Sequence, residues 1–266
     1  ENPMELPDEM GALYYTPIWA RMNDKEKAQA RRHFQAWNIS QFMQGEQAAM
    51  ICAAKIVQQV PDLDAKFYAA TQVMDEARHV EAYRKLLGKF GVAYPMTDPL
   101  QRLVNDALSD SRWDVTYLAM QVVIEGLALA AFGTIRDLAQ NPLARMVNAY
   151  VMEDEARHVA FGRLSLRDYY PQLTQKERDE REEFLVEACY LMRDRMTQSK
   201  EIYEVLGLPE KECQEFTENS DIVKLYRTML FQRIVPIVKD IGLWGPKIQR
   251  AYEDMGVLHF AELDPQ

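Results

Sequence analysis

The hexapeptide DEARHV occurs at residues 75–80 and again, unchanged, at residues 154–159. Each copy contains a Glu-x-x-His pair, which in the first copy is Glu76 and His79. Side chains three positions apart share one face of an α-helix. Each copy therefore presents a carboxylate and an imidazole together, and the repeat indicates that the same local structure is built twice.

The repeat extends beyond the hexapeptide to one glutamate in each preceding segment. Glu46 and Glu125 are separated by the same 79 positions as the two hexapeptides, and both lie among apolar and small residues. The midpoint between each glutamate and its Glu-x-x-His falls at a predicted turn, at positions 61 and 140. In an antiparallel helical hairpin, residues equidistant from the turn lie at the same height. Each hairpin therefore places a glutamate opposite a Glu-x-x-His.

Helix signals dominate the chain, and alternating strand patterns are absent. Long helices are predicted over about 24–60, 62–87, 112–139 and 141–169, with Asn23, Asp62, Ser111 and Asn141 as their N-terminal caps. A short helix is predicted with Asp98 as its N-cap and Pro99 as its first residue, and a fifth long helix from the capping box at 174–177 to about Gly207. Another helix is predicted over 219–241, interrupted or kinked at Pro236, and a last short one after Gly245-Pro246. The connections between the first and second and between the third and fourth long helices are short, and the connection between the second and third is long. This pattern predicts two antiparallel hairpins joined by a crossover, which is an all-α four-helix bundle with additional C-terminal helices.

Packing the two hairpins together would bring four carboxylates and two imidazoles into one layer of the core. Burying even one unpaired ion costs several kcal/mol, so bound divalent cations are expected. Oxygen-rich ligation with one imidazole per metal suits two iron or manganese ions better than a thiolate-rich zinc site. The candidate ligands are Glu46, Glu76, His79, Glu125, Glu155 and His158.

At these positions the sequence resembles the ferritin-like di-iron carboxylate proteins, whose ligands are a Glu from each of two helices and Glu-x-x-His from each of the other two. The resemblance covers roughly residues 24–169. It implies a ferritin-like bundle holding two iron ions, with manganese as an alternative at one site.

The whole DEARH motif is similar to the DExRH motif of bacterial multicomponent monooxygenases. That resemblance implies that Asp75 and Asp154 hydrogen-bond metal-bound histidines, and that Arg78 and Arg157 pair with these aspartates. The chain is much shorter than those catalytic subunits. Its size is closer to stand-alone di-iron N-oxygenases and acyl desaturases.

The resemblance implies an O2-activating oxygenase or oxidase that acts on a small organic substrate by hydroxylation, N-oxygenation or a related oxidation. A ferredoxin or reductase would supply the electrons. One alternative is a ferroxidase or other iron-handling protein. Another is a radical-generating subunit resembling that of ribonucleotide reductase, with Tyr83 as the radical site, although an ordinary packed tyrosine is also consistent with that position. Gln121, one turn before Glu125, is either a hydrogen-bond donor to the site or a core residue.

Composition sets further expectations. The formal net charge of −10 argues against a nucleic-acid-binding surface. We expect no apolar run as long as a membrane-spanning helix. Three cysteines without metal-binding spacing favour a reducing, cytoplasmic location. We expect a single domain over 1–266, with the metal-binding core at about 24–169 and a helical extension at about 174–256 that covers the bundle or forms a homodimer contact.

Overall fold

The computed structural model describes residues 2–265, and this part of the chain is helical without a β-strand. Its α-helices are α1 (Pro17–Arg21), α2 (Asp24–Gln59), α3 (Leu63–Phe90), α4 (Asp98–Ser109), α5 (Trp113–Tyr117), α6 (Glu125–Leu138), α7 (Pro142–Tyr169), α8 (Gln175–Asp194), α9 (Lys200–Leu206), α10 (Glu210–Asn219), α11 (Asp221–Leu230), α12 (Ile234–Asp240) and α13 (Pro246–Asp254). The prediction of an all-α fold is confirmed.

Four long helices form the bundle. α2 packs along α3, and α6 packs along α7, so each hairpin closes on itself. α5 and α6 are the two ends of one continuous helix, joined by a π-helical segment at Leu118–Ile124. α3 contacts α7 and thereby joins the hairpins, while α4 lies within the long crossover between them. This is the predicted arrangement of two hairpins with one crossover.

The predicted caps explain where most of the bundle helices begin. Asn23 forms a capping box at the start of α2. The Asp62 side chain accepts a hydrogen bond from a backbone N–H of α3, and Asn141 does the same for α7. Each cap satisfies donors that a helix start otherwise leaves unpaired. α3 ends at Gly91, whose φ of 69° is a left-handed conformation that favours glycine.

Two predicted helix starts are wrong by one position. Ser111 does not cap the third bundle helix, which begins at Trp113 with Arg112 in the cap position and no side-chain cap. The crossover helix starts at Asp98 itself, so that Thr97 takes the cap position. Neither shift moves a candidate ligand, because the crossover helix carries none and Trp113 lies several turns before Glu125.

The extension departs more from its predicted course. The fifth long helix was expected to reach Gly207, but α8 ends at Asp194 and a 3-10 turn over Arg195–Thr197 redirects the chain into α9. The helix predicted over 219–241 breaks between α11 and α12, not at Pro236. That proline lies in the first turn of α12, where its missing N–H removes no helical hydrogen bond. The short α1 and α10 were not predicted.

The central helix corrects one expectation from composition. Trp113–Leu138 is long and apolar enough to span a membrane, with a hydropathy of 1.8 in its most apolar window. Within the fold, 83% of that window is buried. The π segment of this helix contacts α2, α7, α8 and α12, which explains why nearly every face of it is apolar.

Candidate metal centre

The fold brings the six predicted ligands together in the middle of the bundle. α2 and α6 each supply one glutamate, and α3 and α7 each supply a Glu-x-x-His. All six side chains are buried, with exposed fractions between 0 and 5%. They form two sets of four whose ligand atoms lie within 4.8 Å of one another. The first set is Glu46, Glu76, His79 and Glu155, and the second is Glu76, Glu125, Glu155 and His158.

Glu76 and Glu155 belong to both sets. These are the glutamates of the two hexapeptides, so each hexapeptide contributes one carboxylate to both halves of the cluster. Glu46 and His79 complete one half, and Glu125 and His158 complete the other. The arrangement is that of two adjacent cation sites with two shared carboxylates.

Several ligand atoms lack the hydrogen bonds that buried polar atoms normally make. Both oxygens of Glu155, Oε2 of Glu125 and Nδ1 of His158 have no hydrogen-bond partner. Nδ1 of His158 lies 3.1 Å from Oε1 of Glu76, and Nδ1 of His79 lies 3.1 Å from Oε1 of Glu155. Nδ1 of His79 lies within hydrogen-bond distance of Oε2 of Glu46 and of Glu76, at 3.1 and 3.3 Å, but the atoms of Glu155, Glu125 and His158 named above have no such partner. Lone pairs that converge without donors suit a cation, so the residues present fit a dinuclear metal site.

The electrostatics of the buried carboxylates and imidazoles also favours bound cations. Burial, reinforced by the charge of Glu155, raises the pKa of Glu46 and of Glu125 well above the usual range. Burial opposes the protonation of His158, but the neighbouring Glu155 and Glu76 carboxylates raise the pKa of its imidazole to about 12. Without bound cations, the cluster therefore has to retain protons on buried groups. Two divalent ions would balance the four carboxylates directly.

Both histidines turn Nδ1 towards the carboxylates and Nε2 towards an aspartate. Nε2 of His79 lies 3.0 Å from Oδ2 of Asp154, and Nε2 of His158 lies 3.3 Å from Oδ2 of Asp75. An Nε2–H that donates to aspartate leaves the Nδ1 lone pair free for a metal. Each aspartate thus lies within hydrogen-bond distance of the histidine of the other hexapeptide.

Arg78 pairs with Asp75 and Arg157 pairs with Asp154, as implied by the motif. Both arginines are more than half exposed, at 62% and 58% of the side chain. Exposed ion pairs contribute little stability. Each guanidinium lies against a carboxylate that on its other side faces an imidazole of the cluster.

Two buried glutamines extend the cluster through side-chain hydrogen bonds. Nε2 of Gln72 donates to Glu76 and to Glu125, at 3.0 Å each. Nε2 of Gln121 donates in turn to Oε1 of Gln72 at 3.1 Å. Gln121 therefore reaches the cluster through Gln72, which sequence reasoning missed. Its position four residues before Glu76, on the same helical face, was a usable signal.

Tyr83 is fully buried and packs against both Phe42 and Phe132, which also contact each other. Its hydroxyl donates a 3.0 Å hydrogen bond to Oδ1 of Asn148. Burial raises the pKa of the phenol well above its usual value. These contacts account for Tyr83 as a packed core tyrosine with a satisfied hydroxyl.

A narrow cavity of about 50 Å³ lies beside the cluster, with Glu46, Glu125 and Glu155 in its wall. Phe42, Ala49, Ala128 and Phe132 supply apolar side chains to the same wall. The C-terminal extension supplies the far wall through Met192, Arg195, Met196 and Tyr226. The extension therefore shapes the space next to the candidate ligands.

Comparison with known proteins adds a family and a fold. Residues 1–242 match the model of the family described as p-aminobenzoate N-oxygenase AurF. No curated protein matches the chain by sequence. Among solved structures, "Protein 19 with aldehyde deformylating oxidase activity" from Synechococcus superposes with a TM-score of 0.63. It is 16% identical, and the match covers 87% of this chain and 100% of that one. At this identity the likeness concerns the ferritin-like fold.

Proposed function

This chain belongs to the AurF family of p-aminobenzoate N-oxygenases, and from that premise we propose that it inserts oxygen into the nitrogen of a small organic amine. The coarser function, a di-iron oxygenase or oxidase acting on a small organic substrate, follows from the family. N-oxygenation is the finer step. It is supported by the family's description, while the two overlapping ligand sets that share Glu76 and Glu155 support the metal centre that such a reaction needs.

We assign the metal-ligand roles to Glu46, Glu76, His79, Glu125, Glu155 and His158, and iron as the metal. Bound iron supplies the activation of O2 and its two-electron chemistry. The chain's own residues balance the charge of the ions, fix the imidazoles through Asp75 and Asp154, and keep the site dry. The apolar wall of the neighbouring cavity gives the substrate a position next to the carboxylates, a feature that iron storage does not require.

The reaction balances with an external reductant. One oxygen atom of O2 enters an N–H bond of the amine to give a hydroxylamine, and the other leaves as water. Each turnover therefore consumes two electrons and two protons, which we assign to a ferredoxin or reductase. A cytoplasmic homodimer with no nucleic-acid or membrane partner is our expectation for the chain's setting.

The test begins with anaerobic loading of Fe(II) and a count of iron per chain. We expect two ions in the wild type and fewer in Glu155→Ala, which removes a carboxylate common to both sets. Glu153→Ala is the matched control, because Glu153 lies on the same helix but is exposed. Retention of two ions by both Glu46→Ala and His158→Ala would refute the ligand assignment.

The reaction is then tested with isotopically labelled O2, a chemical reductant and p-aminobenzoate as the amine probe. Label in a hydroxylamine product supports N-oxygenation. Iron oxidation without labelled product across a panel of small amines would refute it, and label on carbon would indicate hydroxylation instead.

A further inference from the structure

The outer sides of α3 and α7 expose many large apolar side chains. More than half of the exposed large apolar residues among residues 2–265 lie on these two helices, and they are Leu63, Phe67, Met74, Leu143, Met146, Tyr150 and Leu164. On each helix they recur at helical spacing, so they form a stripe along it. Single exposed apolar residues are ordinary, but a contiguous set of them marks an interaction surface.

The two stripes belong to one surface, because α3 and α7 lie side by side. His79 of α3 contacts Asp154 of α7, and one helical turn further along α3 the Tyr83 hydroxyl contacts Asn148. Positions therefore rise along α3 as they fall along α7, and the helices are antiparallel. We call the exposed side of this helix pair the α3–α7 surface.

The α3–α7 surface has an approximate two-fold symmetry of its own. The 79-position repeat relates Phe67 to Met146 and Arg78 to Arg157, and all four side chains are exposed. Since the helices are antiparallel, the repeat places the arginines near the middle and the two apolar residues at opposite ends. A surface that repeats itself in this way suits a second copy of the same chain, because homodimers are built on two-fold, self-complementary contacts.

The charges of the surface also favour a second copy. Between its apolar ends the surface carries three basic and four acidic side chains, which are Arg78, Lys85, Arg157, Asp75, Glu81, Glu153 and Asp154. Each basic side chain is paired with an acidic one. This part of the chain therefore contributes little to the formal net charge of −10. Two acidic chains repel each other least where they meet through a nearly neutral surface, whereas anionic lipid or an acidic protein would need a basic one.

The size of the surface is sufficient for a stable contact. From Leu143 to Leu164 the helix extends about 31 Å, and two adjacent helices are together about 20 Å wide. A face-to-face contact would bury about 600 Å² on each chain. The total of about 1,200 Å² lies at the lower end of the range for specific, stable interfaces.

We propose that the α3–α7 surface is the interface of a homodimer, in which the apolar stripes of one chain pack on those of a second copy. The dimer contact then lies on the metal-binding bundle and not on the C-terminal extension. The exposed arginines in the middle of the surface, Arg78 and Arg157, become covered when the two chains meet.

Sedimentation of the iron-loaded chain over a range of concentrations tests this interface. The wild type should sediment as a dimer. Phe67→Asp and Met146→Asp each introduce one charge per chain and hence two per dimer, and each should raise the dimer Kd about 100-fold or more. The two side chains are 62% and 54% exposed in the single chain, so neither substitution should disturb folding, which circular dichroism checks.

Leu225→Asp is the matched control. Leu225 is similarly exposed, at 56%, but it lies on α11. Its substitution adds the same charge outside the α3–α7 surface and should leave the dimer Kd unchanged.

Thiol labelling locates the contact by a second measurement. The three native cysteines are buried, so a maleimide reports mainly on an introduced thiol. Met74→Cys should react more slowly above the dimer Kd than below it, because the second copy covers position 74. Leu225→Cys should react at the same rate at both concentrations.

Three results would overturn the proposal. The first is a wild type that remains monomeric at every concentration, and the second is a dimer that survives both Phe67→Asp and Met146→Asp. The third is a monomer that co-sediments with phosphatidylglycerol vesicles and loses this binding in Phe67→Asp, which would assign the surface to a membrane. Iron content and labelled product are measured separately, so none of these results decides the proposed function.

Discussion

At the residue scale, the hexapeptides are coupled to each other. Each supplies a histidine to one half of the cluster and an aspartate to the histidine of the other half. Neither hairpin is therefore a complete half-site, even though each contains its own Glu-x-x-His. The sequence supplied the partners, but the exchange between hairpins depends on how α3 and α7 pack.

The exchange predicts which metal each aspartate affects. In a Glu46→Ala background, the intact set is the one that contains His158. We expect Asp75→Asn to weaken binding of the remaining ion by about 10- to 100-fold, the usual effect of losing a carboxylate behind a ligating histidine. Asp154→Asn, which acts on His79, should leave that ion unchanged. Anaerobic metal titration measures both, and the opposite result would mean that each aspartate serves its own hexapeptide.

At the scale of elements, the π-helical segment sets the position of Gln121. A π-helical segment has more residues per turn than an α-helix, so it rotates the side chains that follow it around the helix axis. Here the segment ends immediately before Glu125. On the facing helix α7, a Cβ added to Gly162 would lie 2.5 Å from Cβ of Gln121. The absence of a side chain at Gly162 therefore allows α7 to approach the π segment closely. That segment carries Gln121, which is linked to Glu125 by hydrogen bonds through Gln72.

Gly162→Ala should separate these helices. The clash involves Cβ of Gln121 and not a flexible side-chain end, so we expect a loss of about 1–3 kcal/mol in the free energy of unfolding, as in other overpacked cores. Gly88→Ala in α3 is the control. Its new Cβ would meet no atom within 4 Å, and we expect a gain of about 0.5–1 kcal/mol. Urea denaturation of both variants checks this, and equal stabilities would contradict the close approach.

At the scale of the whole molecule, the C-terminal extension is attached to the bundle by a buried ion pair. Arg181 of α8 donates to both carboxylate oxygens of Asp114 in α5, at 2.9 and 3.1 Å. The two side chains are 4% and 1% exposed. The pair fixes α8 over the crossover and the π segment, and α8 leads directly into the turn that carries Arg195.

Breaking this pair on one side should be costly. Asp114→Ala removes the bidentate partner of the buried Arg181 guanidinium and leaves it only the Glu177 backbone carbonyl and the Glu180 carboxylate at 3.8 Å. We expect a loss of about 3–5 kcal/mol in the free energy of unfolding. The double variant Asp114→Leu with Arg181→Met should recover most of it. The control is Lys247→Ala, which removes the exposed ion pair between Lys247 and Glu183 of α8. It should leave the free energy of unfolding unchanged. Chemical denaturation of the wild type and the three variants checks the order of their stabilities. A small loss for Asp114→Ala would mean that the Arg181–Asp114 pair does not hold the extension on the bundle.

The sequence by itself determined the bundle and the candidate ligand set. Periodic apolar positions, caps at Asn23, Asp62 and Asn141, and glutamates equidistant from two turns fix helix ends and register through local chemistry and simple helix geometry. This register places the glutamates and the Glu-x-x-His pairs at one height in the bundle. The ligand set could therefore be predicted without knowing how the helices pack. The extension was predicted less well, because its short helices end at turns decided by contacts with the bundle.

The tertiary structure alone decided which groups meet across helices. The exchange of Asp75 and Asp154 between histidines, the link from Gln121 through Gln72, and the placing of Arg195 in the cavity all join residues far apart in sequence. No local pattern marks Arg195 as a cavity residue, since an arginine at a helix end is ordinarily solvated. It reaches the cavity only because α8 ends early and packs against the bundle.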